Sequence, residues 1–225
     1  MHHRAPKLLE QRLPKGLYVL TPESADDDRL VAVVSAAIRG GASTVQYRNK
    51  TLTSALRLRQ ARRIAEACRD AGATFLVNDS IELAAELKAD GVHLGQDDAA
   101  LADARAALGA DAIVGVSCYD SFDRAMETRD LADYCAFGSV FLSEVKPAAV
   151  RAPLGLFGRA RDVGLHAVAI GGIDAANAAQ VAAAGAMAVA VITAVFGGTS
   201  PPAEPKLAEA NARRLLAAFE SGRAM

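Results

Sequence analysis

Gln46, Arg48 and Lys50 alternate in the run Gln46-Tyr47-Arg48-Asn49-Lys50. In an extended chain alternate residues share a face, so one face there would carry an amide and two cations. Such a set can hydrogen-bond a heterocycle and grip phosphate oxygens. A lone arginine or lysine at a strand end is more often simply solvated, but three polar groups on one face bring the two readings level. Asn78-Asp79 ends another short apolar run, and Gly95-Gln96-Asp97-Asp98 follows the next one. Asp79 and Asp98 would then lie on neighbouring strands at the same end of a sheet. Paired hard carboxylates suit Mg2+, which takes oxygen ligands and retains waters and substrate phosphates. Each aspartate taken singly reads as a helix N-cap instead, since Asp is favoured there. His93 reads as a packed residue rather than a ligand.

Ser117 closes a further apolar run, and Lys146 lies in the longest irregular stretch, Phe141 to Pro153. A loop lysine is usually solvated, whereas one in a long loop over a pocket can close on a bound anion. Gly171-Gly172 and Ile192-Thr193 end the last two apolar runs. Glycine lets a backbone approach an anion closely, and short helix N-termini bind phosphate. The glycine pair alone is a weak signal; joined to Thr193 it points to a phosphorylated ligand without saying which.

Elements must bring these groups together. Short runs rich in β-branched residues begin at Gly16, Ser43, Thr74, Gly91, Ile113, Tyr134, Ala167 and Ala188. Each has the look of a strand buried on both faces of a parallel sheet. Ala-rich segments alternate with them. Ala61, Ile64, Ala65 and Cys68 fall at helical spacing, with Thr53 or Ser54 as a start and Gly72 as a stop. Pro201 and Pro202 precede a last helix whose Leu215, Leu216 and Phe219 can pack onto the sheet. Eight β-α units predict a closed α/β (β/α)8 TIM barrel, with an open doubly wound sheet as the structural alternative. A barrel carries its site at the C-terminal strand ends, and that is where the polar residues above collect.

The chain of 225 residues is 52% hydrophobic and carries 25 basic against 26 acidic residues. That suits one domain over residues 1–225, with residues 1–15 as an N-terminal extension. A net charge of −1 leaves no electrostatic footprint for nucleic acid or an anionic membrane. Small-molecule partners are expected, with no nucleic acid and no membrane; oligomeric state is left open. Met1-His2-His3-Arg4-Ala5-Pro6 lacks a signal-peptide core, and no apolar run reaches membrane-spanning length. The isolated cysteines Cys68, Cys118 and Cys135 read as buried reduced thiols. A cytoplasmic protein is expected.

Together these residues resemble the thiamine-phosphate synthase family. The resembling stretches are G-L-Y-V-L-T at Gly16, V-Q-Y-R-N-K at Val45, V-N-D at Val77, A-D-G-V-H-L-G-Q-D-D at Ala89, G-V-S at Gly115, A-I-G-G-I at Ala169 and V-I-T-A-V-F at Val191. They span most of the chain in the family's order. The resemblance implies a Mg2+-dependent transferase that joins a hydroxymethylpyrimidine diphosphate to a thiazole phosphate, with one Mg2+ per subunit. By that likeness Gln46, Tyr47, Arg48, Asn49, Lys50, Asn78, Ser117 and Lys146 hold the pyrimidine diphosphate. Asp79 and Asp98 would bind the metal, while Ser143, Glu144, Val145, Gly172, Ile192 and Thr193 would form the thiazole-phosphate site. Arg48, Lys50, Ser117 and Lys146 would be the catalytic set. The loop Leu142-Ser143-Glu144-Val145-Lys146 departs from the family's P-T-x-T-K, since Val145 lacks a hydroxyl. Pro22-Glu23 stands where an acidic residue is common, and Cys118-Tyr119 is atypical. The competing readings are a thiazole tautomerase-like isomerase and a non-catalytic barrel that binds a phosphorylated ligand.

Overall fold

Parallel pairing runs unbroken around a closed barrel in the order β1 to β8. The protein is described by a computed structural model, which defines residues 6–95, 98–142, 150–198 and 202–223, with backbone only at 6–8 and 98–99. The strands are β1 (Gly16–Leu20), β2 (Ala42–Tyr47), β3 (Thr74–Asn78), β4 (Gly91–Leu94), β5 (Ile113–Tyr119), β6 (Tyr134–Phe137), β7 (Ala167–Ile170) and β8 (Ala188–Val191). Closure comes where β1 meets β8, with Gly16 opposite Ala188 and Val19 opposite Val191. The helices are α1 (Pro6–Arg12), α2 (Asp27–Arg39), α3 (Ser54–Asp70), α4 (Ile81–Leu87), α5 (Asp98–Leu108), α6 (Phe122–Glu127), α7 (Gly155–Asp162), α8 (Ala178–Ala183), α9 (Thr193–Phe196) and α10 (Pro205–Arg223). The expected (β/α)8 barrel is therefore the observed fold, and the open sheet is not.

Two apolar layers follow from strand alternation. The outer layer joins the sheet to the helices, through Val19, Val45, Val77, Val92 and Val189 among others. The inner layer fills the barrel with Tyr18, Leu20, Leu76, Ile113, Tyr134, Ala136, Val168, Ala188 and Ala190. Leu9 and Leu13 pack against that inner layer. Thr74 Oγ1 donates to the Arg12 carbonyl at 2.9 Å, and the Arg12 guanidinium pairs with Asp90 at 2.9 Å. The segment around α1 thus closes the N-terminal end of the barrel and leaves the opposite end as the mouth.

Helix α3 buries Ala61, Ile64, Ala65 and Cys68, as their spacing predicts. Its start differs in detail: Thr53 sits at the N-cap, but its side chain makes no capping bond. The stop is as expected, with Gly72 at φ +69° just past the helix end. On α10, Leu215 and Phe219 are buried, and Leu216 lies half-buried against the glycines that flank the start of β1 and β2. All three cysteines are buried, and none is joined in a disulfide. Among the described residues no helix is long and apolar enough to cross a membrane.

Gly115 of β5 has a packing role that its run of β-branched neighbours does not announce. A Cβ at that place would run into the Tyr134 ring inside the barrel. Overfilling a packed core costs about 1–3 kcal/mol. Gly115→Ala is expected to lower the stability measured by urea unfolding by that amount; an unchanged midpoint would mean that the tyrosine moves aside without cost.

Candidate active site

The mouth of the barrel separates the residues of the β2 end by alternation. Gln46 points inward, where its Nε2 donates to Tyr18 Oη at 2.5 Å. Tyr47 points outward and donates to Gln60 Oε1 of α3 at 3.0 Å. Asn49 is also buried on the α3 side, donating to the Ser24 carbonyl at 3.3 Å and accepting from Leu52 N at 2.9 Å. The structure therefore brings the side chains of Tyr47 and Asn49 to the α3 face, away from Gln46, and uses them to shape the turn.

Arg48 and Lys50 are held from β1. Thr21 Oγ1 accepts from Arg48 N at 2.9 Å and donates to the Arg48 carbonyl at 2.9 Å. The Glu23 carboxylate accepts from Arg48 Nη1 at 3.2 Å, from Lys50 N at 3.1 Å and from Thr51 Oγ1 at 3.3 Å. One carboxylate thereby fixes both cation-bearing residues. Glu23 stands in the sequence only as an acid after the first strand, and nothing local shows that it reaches across to β2.

Asp79 follows β3 in a left-handed conformation, φ +62°. Its N–H donates to the His93 carbonyl at 2.9 Å, and Asn78 Nδ2 donates to its carboxylate at 2.7 Å. Lys50 Nζ stands 3.7 Å from that carboxylate. The N-cap of α4 is Ser80, whose Oγ accepts from Leu83 N at 3.2 Å. The capping alternative for Asp79 thus fails, and an oriented, solvent-facing carboxylate remains. Tyr47, Asn49, Lys50, Asn78 and Asp79 line a cleft of about 220 Å³ together with Arg57 and Glu82, so Tyr47 and Asn49 border the site from its α3 side. Asp98 opens α5 after the adjacent strand, β4; its side chain lies outside the described residues. Among the described residues no three histidines, cysteines or carboxylates gather as a metal cluster.

Across the barrel, four polar contacts run in series. Tyr18 Oη and Tyr134 Oη are 3.0 Å apart, Tyr134 Oη and His93 Nδ1 2.8 Å, and His93 Nε2 and Ser117 Oγ 3.0 Å. Gln46 joins through Tyr18, so the series spans β2, β1, β6, β4 and β5. Burial pushes the His93 pKa down to about 4, against a weaker upward pull from Asp79. Burial also raises both tyrosines above their ordinary value. The imidazole is neutral at pH 7, and His93 is a packed residue as expected. Arg124 steadies the same end, donating to the Ser117 carbonyl at 3.2 Å and to the Gly95 carbonyl at 3.4 Å.

Gly171 and Gly172 follow β7 at φ +97° and +66°. A Cβ on Gly172 would strike the backbone of Phe141 and Leu142, and one on Gly171 would strike Ser139. Both glycines are thus required by the turn itself, whatever it binds. Ile192 and Thr193 lead from β8 into α9, beside this turn, since Ile170 of β7 pairs with Ala190 of β8. Ser143, Glu144, Val145 and Lys146 lie outside the described residues. Their loop is anchored at its base, where Ser139 N donates to the Val150 carbonyl at 3.1 Å and Phe141 N to the Gly171 carbonyl at 3.0 Å.

Comparison with known proteins decides among barrels of this shape. The family model described as thiamine monophosphate synthase matches residues 17–195. The chain belongs to that family. It is 53% identical over 191 residues to a thiamine-phosphate synthase of Aromatoleum aromaticum, covering 84% of this chain and 92% of that one. It is 47% identical over 209 residues to that of Thioalkalivibrio sulfidiphilus, covering 92% and 96%. Among solved structures, a thiamine phosphate pyrophosphorylase from Pyrococcus furiosus superposes with a TM-score of 0.77 at 30% identity, covering 94% of this chain and 98% of that one.

In this family member, the Glu23 clasp is testable without any ligand. Glu23→Ala removes the acceptor from the Lys50 amide. A hydrogen bond to a charged group is worth roughly 1.5–3 kcal/mol, less at an exposed site. Hydrogen exchange at the Lys50 amide is expected to quicken about tenfold, while amides of β4 keep their protection; an unchanged Lys50 rate would show that the clasp does not hold the segment.

Proposed function

We infer that the protein is a thiamine-phosphate synthase, joining a pyrimidine methyl diphosphate to a thiazole phosphate with release of pyrophosphate. The observation that carries this is similarity to enzymes of that name along nearly the whole length of both chains. Placement of the candidate residues supports it. Lys50 stands 3.7 Å from the Asp79 carboxylate, Arg48 shares the Glu23 carboxylate with the Lys50 amide, and Gln46, Asn78 and Ser117 lie towards the C-terminal ends of β2, β3 and β5. The isomerase alternative has no use for that diphosphate set, and a barrel without catalysis has only the loop departure at Val145 in its favour.

In the reaction, the bond between the pyrimidine methylene and the diphosphate oxygen breaks and its electron pair leaves with pyrophosphate. The thiazole nitrogen then supplies its lone pair to the cationic carbon, so no enzyme nucleophile is needed. Arg48, Lys50 and Lys146 would stabilise the departing charge, and the enclosed mouth would keep water from the cation. Asp79 and Asp98 would hold Mg2+, which supplies charge neutralisation on the diphosphate. The fit of Asp79 to this role rests on its solvent-facing carboxylate, oriented by Asn78 and not spent on capping α4, which Ser80 does. Gly172, Ile192 and Thr193, with Ser143, Glu144 and Val145, would form the thiazole-phosphate end. A cytoplasmic setting fits this chemistry.

The direct test is incubation of the purified protein with both phosphorylated substrates and Mg2+. Thiamine phosphate and pyrophosphate are expected in equal amounts; their absence would overturn the reading. Metal stabilisation is worth several kcal/mol, so Asp79→Asn or Asp98→Asn is expected to cut turnover about 100-fold. Full activity in EDTA would remove the metal from the account. Lys146→Ala is expected to lower kcat about 100-fold and Lys146→Arg to recover part of it, because a planar fork replaces a point charge. Steady-state kinetics checked by single turnover would read this, and an unchanged kcat would make Lys146 a solvated bystander.

A further inference from the structure

The series of polar contacts inside the barrel has a direction. Gln46 donates through Nε2 to Tyr18, so the Tyr18 oxygen is an acceptor there and its single proton must go to Tyr134. Tyr134 then has one proton left to place, and its remaining neighbour is His93 Nδ1. With Nδ1 accepting, a neutral imidazole carries its proton on Nε2 and donates it to Ser117 Oγ. Ser117 is left with its own proton free to donate outward. At the other end, Gln46 Oε1 is buried and has no hydrogen-bond partner among the described residues, in a residue only 2% exposed. A buried carbonyl oxygen without a donor costs free energy until a ligand supplies one.

We propose that Tyr18, Tyr134 and His93 are positioning residues that fix Gln46 as an acceptor and Ser117 as a donor, so that the pyrimidine site selects an amino-substituted ring over its oxo counterpart. This rests on the functional reading above. An aminopyrimidine offers N–H donors and a bare ring nitrogen, which match a carbonyl acceptor and a hydroxyl donor. The oxo ring offers a carbonyl and a ring N–H, the reverse of both. None of the three relay residues needs to touch the ligand, because each passes on a choice made by its neighbour. Tyr18, Tyr134 and a neutral His93 each have one proton to place between two neighbours, so reversing one of their contacts reverses the others.

Two measurements test the proposal. The first needs no ligand: long-range 15N–1H NMR of the folded protein, with the His93 signal assigned by its loss in His93→Gln. A pyridine-like Nδ1 and a pyrrole-like Nε2 are expected; the opposite tautomer would mean that the series runs backwards and would overturn the proposal. The second is calorimetry with the aminopyrimidine diphosphate and its oxo analogue on the wild type, Tyr18→Phe, Tyr134→Phe and the double variant. Each Phe variant keeps the ring and loses only the hydroxyl. The amino-over-oxo preference is expected to narrow about tenfold in either single variant, the scale of one hydrogen bond. It should narrow no further in the double variant, with thiazole-phosphate affinity unchanged throughout. Unchanged preference in the single variants, effects that multiply in the double, or equal loss at the thiazole end would each overturn the relay. A wild type that binds neither pyrimidine would instead sink the functional reading itself.

Discussion

Every strand of this protein is hydrogen-bonded on both sides, and that depends on Gly16–Val19 of β1 finding Ala188–Val191 of β8 across the length of the chain. Closure removes the sheet edges and commits one set of side chains to the interior. It also brings eight strand C-termini to one rim, so residues far apart in sequence become neighbours there. Glu23 reaches Arg48 and Lys50, and Lys50 reaches Asp79, only because β1, β2 and β3 lie side by side. The opposite rim is closed by α1, with Leu9 and Leu13 under the inner layer. One end is thereby given to stability and the other to chemistry.

The interior is not wholly apolar. Tyr18, Tyr134, His93 and Gln46 sit among leucine, valine and alanine, where an unpaired polar atom is costly. Among the described residues, their hydrogen bonds in series meet that cost for every group except the Gln46 oxygen. A polar chain of this kind also locks ring orientations, and Gly115 leaves the space in which the Tyr134 ring rests. The same groups that fill the barrel therefore carry the hydrogen-bond order of its mouth.

The eight strands were legible because burial on both faces demands β-branched and apolar residues without interruption, as in Val189-Ala190-Val191. Helix α3 was legible from the 3.6-residue spacing of Ala61, Ile64, Ala65 and Cys68. Capping was read less well: Thr53 has the right type and place but makes no bond, and Ser80, not Asp79, caps α4. Tyr47 and Asn49 share a stretch with Gln46 and Arg48, yet alternation turns their side chains to α3. Glu23 and the interior series were not legible. Their partners stand 25 residues away for Arg48 and 116 residues away from Tyr18 to Tyr134, and no local pattern encodes such a pairing. The glycine pair after β7 shows a different limit, since its positive φ and close backbone neighbours explain it without any ligand.

The central claim is a division of the mouth, with the pyrimidine diphosphate over the ends of β2 to β5 and the thiazole phosphate over those of β7 and β8. A crystal structure with thiamine phosphate, pyrophosphate and Mn2+ in place of Mg2+ tests it most directly. The account predicts pyrophosphate beside Arg48 and Lys50, an anomalous Mn2+ peak bound by Asp79 and Asp98, and the thiazole phosphate at Gly172 and Thr193. Pyrophosphate at the β7–β8 end, or a metal away from both aspartates, would contradict it.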